Sequence, residues 1–251
     1  MSLHAALAAA ATLVSLAFAL STLERWQARR QRHEAAWTVS LFLFAAGSAA
    51  LWVGAALGWS EWSFKAFYLF GAILNVPYLA LGTVELLAGP RHGRRWTAIV
   101  TVLGAFCAGI VVAAPLSAAI GGTALPQGKE VFGPGPRIAA AVGSGVAALV
   151  IIGGALWSAW RLWRVRTPAD APTGRVSPRR LAAANVVIAV GTLVLSAGGL
   201  LNSVVDEMNG FAISLVVGIA IVFAGFLLTA PSRDVLAEPV EWRPSIARDA
   251  A

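Results

Sequence analysis

Charge is what this 251-residue chain has least of. Only 12% of its residues are Asp, Glu, Lys or Arg, about half the ~25% of a soluble globular domain. Another 58% are apolar, and the mean hydropathy is +0.75. That shortage excludes an ordinary soluble enzyme, a disordered chain and a coiled coil. Cysteine is nearly absent too. Cys107 stands alone in an apolar run, so the chain has no intramolecular disulfide and no Cys/His cluster for a structural metal. His4, His33 and His92 fall at the terminus or between apolar runs, which leaves no bis-histidine haem site inside a membrane. No HExxH, GxSxG or Walker A sequence occurs. Gly143-Ser144-Gly145 lies within an apolar run, not in a phosphate loop. No catalytic residue, metal or cofactor is expected.

What is present is a series of long apolar runs. Crossing ~30 Å of hydrocarbon takes about 20 mostly apolar residues in a helix. Seven stretches meet that requirement: His4–Leu23, Ala36–Leu57, Phe64–Ala88, Trp96–Pro115, Ile138–Trp160, Leu181–Leu201 and Phe211–Ala230. The first lacks a basic leader and a small-residue cleavage site, so it reads as a retained helix. The expected fold is an all-α integral membrane protein, a bundle of seven transmembrane helices in one domain over residues 1–230. Residues 231–251 are a short tail. The loop from Leu116 to Arg137, rich in Gly and Pro, reads as a flexible excursion.

The basic residues alternate between loops. Arg25, Arg29, Arg30 and Arg32 follow the first run, and Arg91, Arg94 and Arg95 follow the third. Arg161, Arg164, Arg166, Arg175, Arg179 and Arg180 follow the fifth, and Arg233, Arg243 and Arg248 lie in the tail. Sixteen of nineteen therefore share one side, against Lys65, Lys129 and Arg137. The positive-inside rule then places the N-terminus outside and the C-terminus in the cytoplasm, in a multi-pass protein of a bacterial cytoplasmic (inner) membrane. In a soluble protein a net charge of +7 and a pI near 11.0 would suggest nucleic acid. Orientation accounts for it here, and the expected partners are the bilayer and anionic lipids at the Arg-rich face, with no nucleic acid. Trp26, Trp37, Trp96, Trp157, Trp160 and Trp163 fall at the inner boundary and Trp59 and Trp62 at the outer, as in an aromatic belt. Gly54 with Gly58 and several small-xxx-small pairs allow close helix packing or a homodimer.

Polar residues within the runs form two stripes. Gly71, Asn75, Tyr78, Gly82 and Glu85 share one face of the third run, with Pro77 nearby to kink it. Asn185, Thr192, Ser196, Gly199, Ser203 and Asp206 share a face of the sixth. Lipid satisfies none of these groups, so the stripes are expected to turn inward and pack on one another, bringing Asn75 beside Ser196. The candidate ligand pocket is Asn75, Tyr78, Glu85, Asn185, Thr192, Ser196 and Asp206. Glu85 is expected to pair with the Arg91, Arg94 and Arg95 loop.

Seven spans with the N-terminus outside resemble the plan of microbial rhodopsins, which need a lysine in the seventh helix for a retinal Schiff base. Phe211–Ala230 has none, so no retinal is expected. The leading functional expectation is a non-enzymatic sensor, binding or accessory protein that couples a ligand to a protein partner through its Arg-rich face. A small transporter or permease using the two stripes is the alternative. A membrane-embedded lipid enzyme using Glu85 or Asp206 with Glu207 comes third.

Overall fold

The computed structural model describes residues 3–164, 177–200 and 208–229. Asp206, Glu207, the tail and most of the linker after the fifth run lie outside them. The elements are α1 (Leu3–Arg29), α2 (Arg32–Leu57), α3 (Glu61–Ala66), a π-helix (Phe67–Leu74), α4 (Asn75–Ala113), α5 (Gly128–Val131), α6 (Pro134–Trp163), α7 (Pro178–Leu200) and α8 (Met208–Leu228). Six helices are long and apolar enough to cross a membrane, one of them the continuous stretch Glu61–Ala113. The fold is therefore an all-α membrane architecture.

The 53 residues of Glu61–Ala113 would reach about 80 Å if straight, far more than a bilayer. They fold back instead. Gly89 has φ 79° and ψ 176°, a conformation that an L side chain resists, and Pro90 follows with no N–H to continue the ladder. Contacts then climb one limb as they descend the other. Thr97 donates to Glu85 at 3.0 Å, Tyr78 and Thr101 hydroxyls lie 3.4 Å apart, and Lys65 Nζ donates to Val112 O at 2.9 Å. The result is an antiparallel hairpin.

Its first limb completes a ring of helices. α1 packs on α2, α2 on the first limb, the first limb on α6, α6 on α7, α7 on α8, and α8 back on α1. The first limb and α6 run parallel, since Gly143 faces Ile73 and Pro77 while Gly154 faces Thr83 and Leu87. Apolar side chains such as Val102, Phe106, Leu149 and Leu193 point away from the bundle, as lipid-facing positions do. Every described arginine except Arg137 lies at one end of the ring, here the Arg-rich end.

Three expectations are corrected. The α7 helix packs between α6 and α8, while the first limb packs on α2 and α6, so the two polar stripes meet different partners. The Leu116–Arg137 loop is folded onto the bundle. Leu116 bridges Phe132, Trp59 N–H donates to Gly122 O at 2.9 Å, and Leu125, Val131 and Phe132 are buried. Trp59 is buried as well, packed against Gly54 and edge-on to Phe64 and Phe67. It is a core residue, not part of a belt, because the folded loop covers it.

Pro77 is accommodated by the π-helix before it. Asn75 N–H reaches back five residues to Phe70 O. In that register the N–H of residue 77 would meet Ala72 O, and proline has none. Ser144 of α6 donates to Ala72 O instead, and Ser40 of α2 donates to Asn75 O at 2.7 Å. Ser144→Ala should therefore lower stability by ~0.6–1.7 kcal/mol. Pro77→Ala restores a backbone donor and should shrink that loss. A double-mutant cycle on unfolding in detergent measures the coupling, and additive effects would mean that Ser144 does not serve this carbonyl.

Candidate functional site: buried ion pairs at the Arg-rich end

Glu34 occupies the first turn of α2, where the helix dipole favours an anion. Its neighbours on the buried face of that helix are Thr38, Leu41, Ala45 and Ser48. The spacing of 4, 3, 4 and 3 carries Glu34 inward with them, and it ends 1% exposed. Arg25, near the end of α1, crosses the interhelical turn to place Nε 3.4 Å from Glu34 Oε1. The turn is tight enough to hold Arg30 at φ 54°. Arg25 also donates from Nη1 to Thr229 Oγ1 at 3.1 Å, and its guanidinium lies 4.2 Å from the Phe226 ring centroid. One guanidinium thus joins α1, α2 and α8.

A second pair stands beside it. Glu85, on the first limb of the hairpin four residues before Gly89, accepts from Arg32 Nε at 3.3 Å and from Thr97 Oγ1 at 3.0 Å. Gly93 leaves room for this carboxylate, since a Cβ there would stand 2.6 Å from Glu85 Cγ. The Trp37 ring lies against Gly82 and meets His33 edge-on at 5.1 Å. Two acids and two arginines balance in charge, so the cluster keeps buried carboxylates without net charge. Glu34 Oε2 has no hydrogen-bond partner among the described residues. Chemically the site is suited to clamping helix ends. No group of three His, Cys, Asp or Glu converges among the described residues.

The residues expected to form one pocket are distributed over several contacts. Asn75 is buried beside Ser40, its Oδ1 without a hydrogen-bond partner among the described residues, and Tyr78 meets Thr101 within the hairpin. Asn185 donates to Ser158 of α6 at 3.0 Å. Thr192 and Ser196 donate to Ile188 O and Thr192 O of their own helix. Glu85 is buried and paired with Arg32, not with the Arg91, Arg94 and Arg95 loop. That correction follows from the hairpin, which turns Glu85 toward α2. Sequence reasoning missed Glu34, Arg25 and Arg32 as a site. Their signal was present in the 4-3 spacing that puts Glu34 on the inward face of α2. No protein-family model, curated protein or solved structure matches the chain.

Proposed function

We propose that the chain crosses a bacterial cytoplasmic membrane seven times, N-terminus outside and C-terminus in the cytoplasm. It serves as a non-enzymatic sensor, binding or accessory protein whose Arg-rich face meets a cytoplasmic partner. The two limbs of the broken hairpin count as separate crossings in this reading, and the gathering of arginines at one end supports the orientation. One observation carries the functional part. Arg25 ties the ion-paired end to Phe226 and Thr229, the last described residues before the tail. A change in helix packing at the opposite end is then passed to the segment that reaches the cytoplasm.

Two measurements test it. On a Cys107→Ser background, a cysteine at position 30 should resist impermeant reagents applied outside intact cells, and strong labelling would reverse the orientation. In reconstituted protein, trypsin cleavage after Arg233 should run several-fold faster in Arg25→Gln than in wild type or in Asn185→Ala. Equal rates would remove the coupling. A transporter reading draws on the buried Asn75 Oδ1, which has no hydrogen-bond partner among the described residues. Solute uptake by proteoliposomes that Asn75→Ala abolishes would favour it over the sensor.

A further inference from the structure

The outward face of α6 ends in two tryptophans and an arginine. Val146 and Leu149, 58% and 73% exposed, lead toward Trp157 and Trp160 at the Arg-rich end. Gly153 lies in the same line, four residues from both Leu149 and Trp157. A side chain at Gly153 would meet nothing within 4 Å, so the stripe carries an open notch. The rings of Trp157 and Trp160 sit 5.5 Å apart with 34° between their planes. Arg164 lays its guanidinium 3.9 Å from the Trp160 ring centroid. Stacked there, it keeps its edge N–H groups free for an anion. The ion pairs of the described residues engage Arg25, Arg32 and Lys65, and none engages Arg164.

We propose that this face binds one anionic phospholipid. An acyl chain runs along Val146 and Leu149 into the Gly153 notch, and the headgroup phosphate meets Arg164 beside the tryptophans. Charge decides the occupant. A second copy docked here about a two-fold axis along the membrane normal would set Arg164 against Arg164. A phosphate supplies the opposite charge and two oxygens that a planar guanidinium grips with two parallel N–H groups. The site deepens the reading of the Arg-rich end as a membrane boundary, and it rests on that reading.

Native mass spectrometry of the full-length protein, delipidated and offered equimolar POPG and POPC, tests the proposal. Wild type should retain one POPG above all other lipids. Arg164→Gln should cut its preference for POPG over POPC about five-fold, the worth of one surface arginine. Gly153→Leu fills the notch and should weaken retention of both lipids alike. Arg94→Gln, elsewhere on the same end, should leave this binding unchanged. Each variant is compared at unchanged melting temperature, so that unfolding is not read as lost binding. An Arg164→Gln protein that still prefers POPG as wild type does would overturn the proposal. So would a lipid-free dimer that Gly153→Leu dissociates. A cysteine at 164 labelled from outside the cell would reverse the orientation while leaving the lipid result to stand or fall by itself.

Discussion

Arg25→Met should be the most damaging single substitution of a charged residue in this protein, lowering stability by about 3–5 kcal/mol. The reason is what it leaves behind. Glu34 stays buried without the cation it pairs with, and among the described residues its second oxygen has no hydrogen-bond partner to begin with. The side chain of Arg25 is 25% exposed, so water softens the loss and the lower end of that range is expected. Methionine keeps an unbranched apolar stem in place of the arginine's, while the cation–π contact with Phe226 goes together with the charge. Adding Glu34→Gln removes the stranded carboxylate, and the double variant should recover most of the stability. Equilibrium unfolding in detergent, followed by tryptophan fluorescence, measures both steps. If the double variant is no more stable than Arg25→Met, the guanidinium acts through Phe226 and Thr229 and not through Glu34.

Gly47→Leu should be as severe for a different reason. A Cβ on Gly47 would stand 2.8 Å from the Cα and N of Gly71. Those are backbone atoms of the π-helix, so no rotamer relieves the clash. α2 would have to back away, taking Ser40 from the Asn75 carbonyl and leaving two polar groups unpaired in an apolar setting. Overpacking of a core costs 1–3 kcal/mol in ordinary sites, and the lost hydrogen bond adds to it. The expected result is a polydisperse, low-yield protein by size-exclusion chromatography. Gly109→Leu is the matched control. Nothing lies within 4 Å of that position, and its elution and melting should stay at wild-type values. Similar behaviour of the two variants would show that the α2 and π-helix backbones do not depend on their close approach.

Which parts of this molecule could be read from the sequence follows from the range of each signal. Span positions rest on composition within a single helix, and the break at Gly89 falls between Phe64–Ala88 and Trp96–Pro115, where Gly-Pro and three arginines interrupt the apolar run. Polar periodicity is equally local. It assigns Asn75 and Asn185 a side of their helices, but a side does not name its neighbour. Asn185 meets Ser158, and Asn75 meets Ser40, because ring order decides who stands opposite whom. The π-helix was invisible because its residues, Phe67–Leu74, are as apolar as any α-helix there. The Arg25–Glu34 pair was hidden by its surroundings. Among so many arginines Glu34, like Glu24, looks like part of a solvated loop, and only the buried face of α2 says otherwise.

The ring of helices is closed by the two ends of the chain, and this bears on how it is made. Phe18 of α1 stacks on Phe223 at 4.8 Å and leans on Phe226, while Arg25 waits for Thr229, 204 residues later. At ~5–20 residues per second a ribosome needs about 10–40 s to cover that distance. Throughout that time the side of α1 and α2 formed by Phe18, Leu41 and Phe44 has no protein partner, and it can wait because it is as apolar as the lipid it faces. Arg25 finds its ion-pair partner in Glu34, across the α1–α2 turn and already synthesised when α2 begins. The ion pair is thus the first contact of the final site to become available, and α8 arrives as the keystone that buries it.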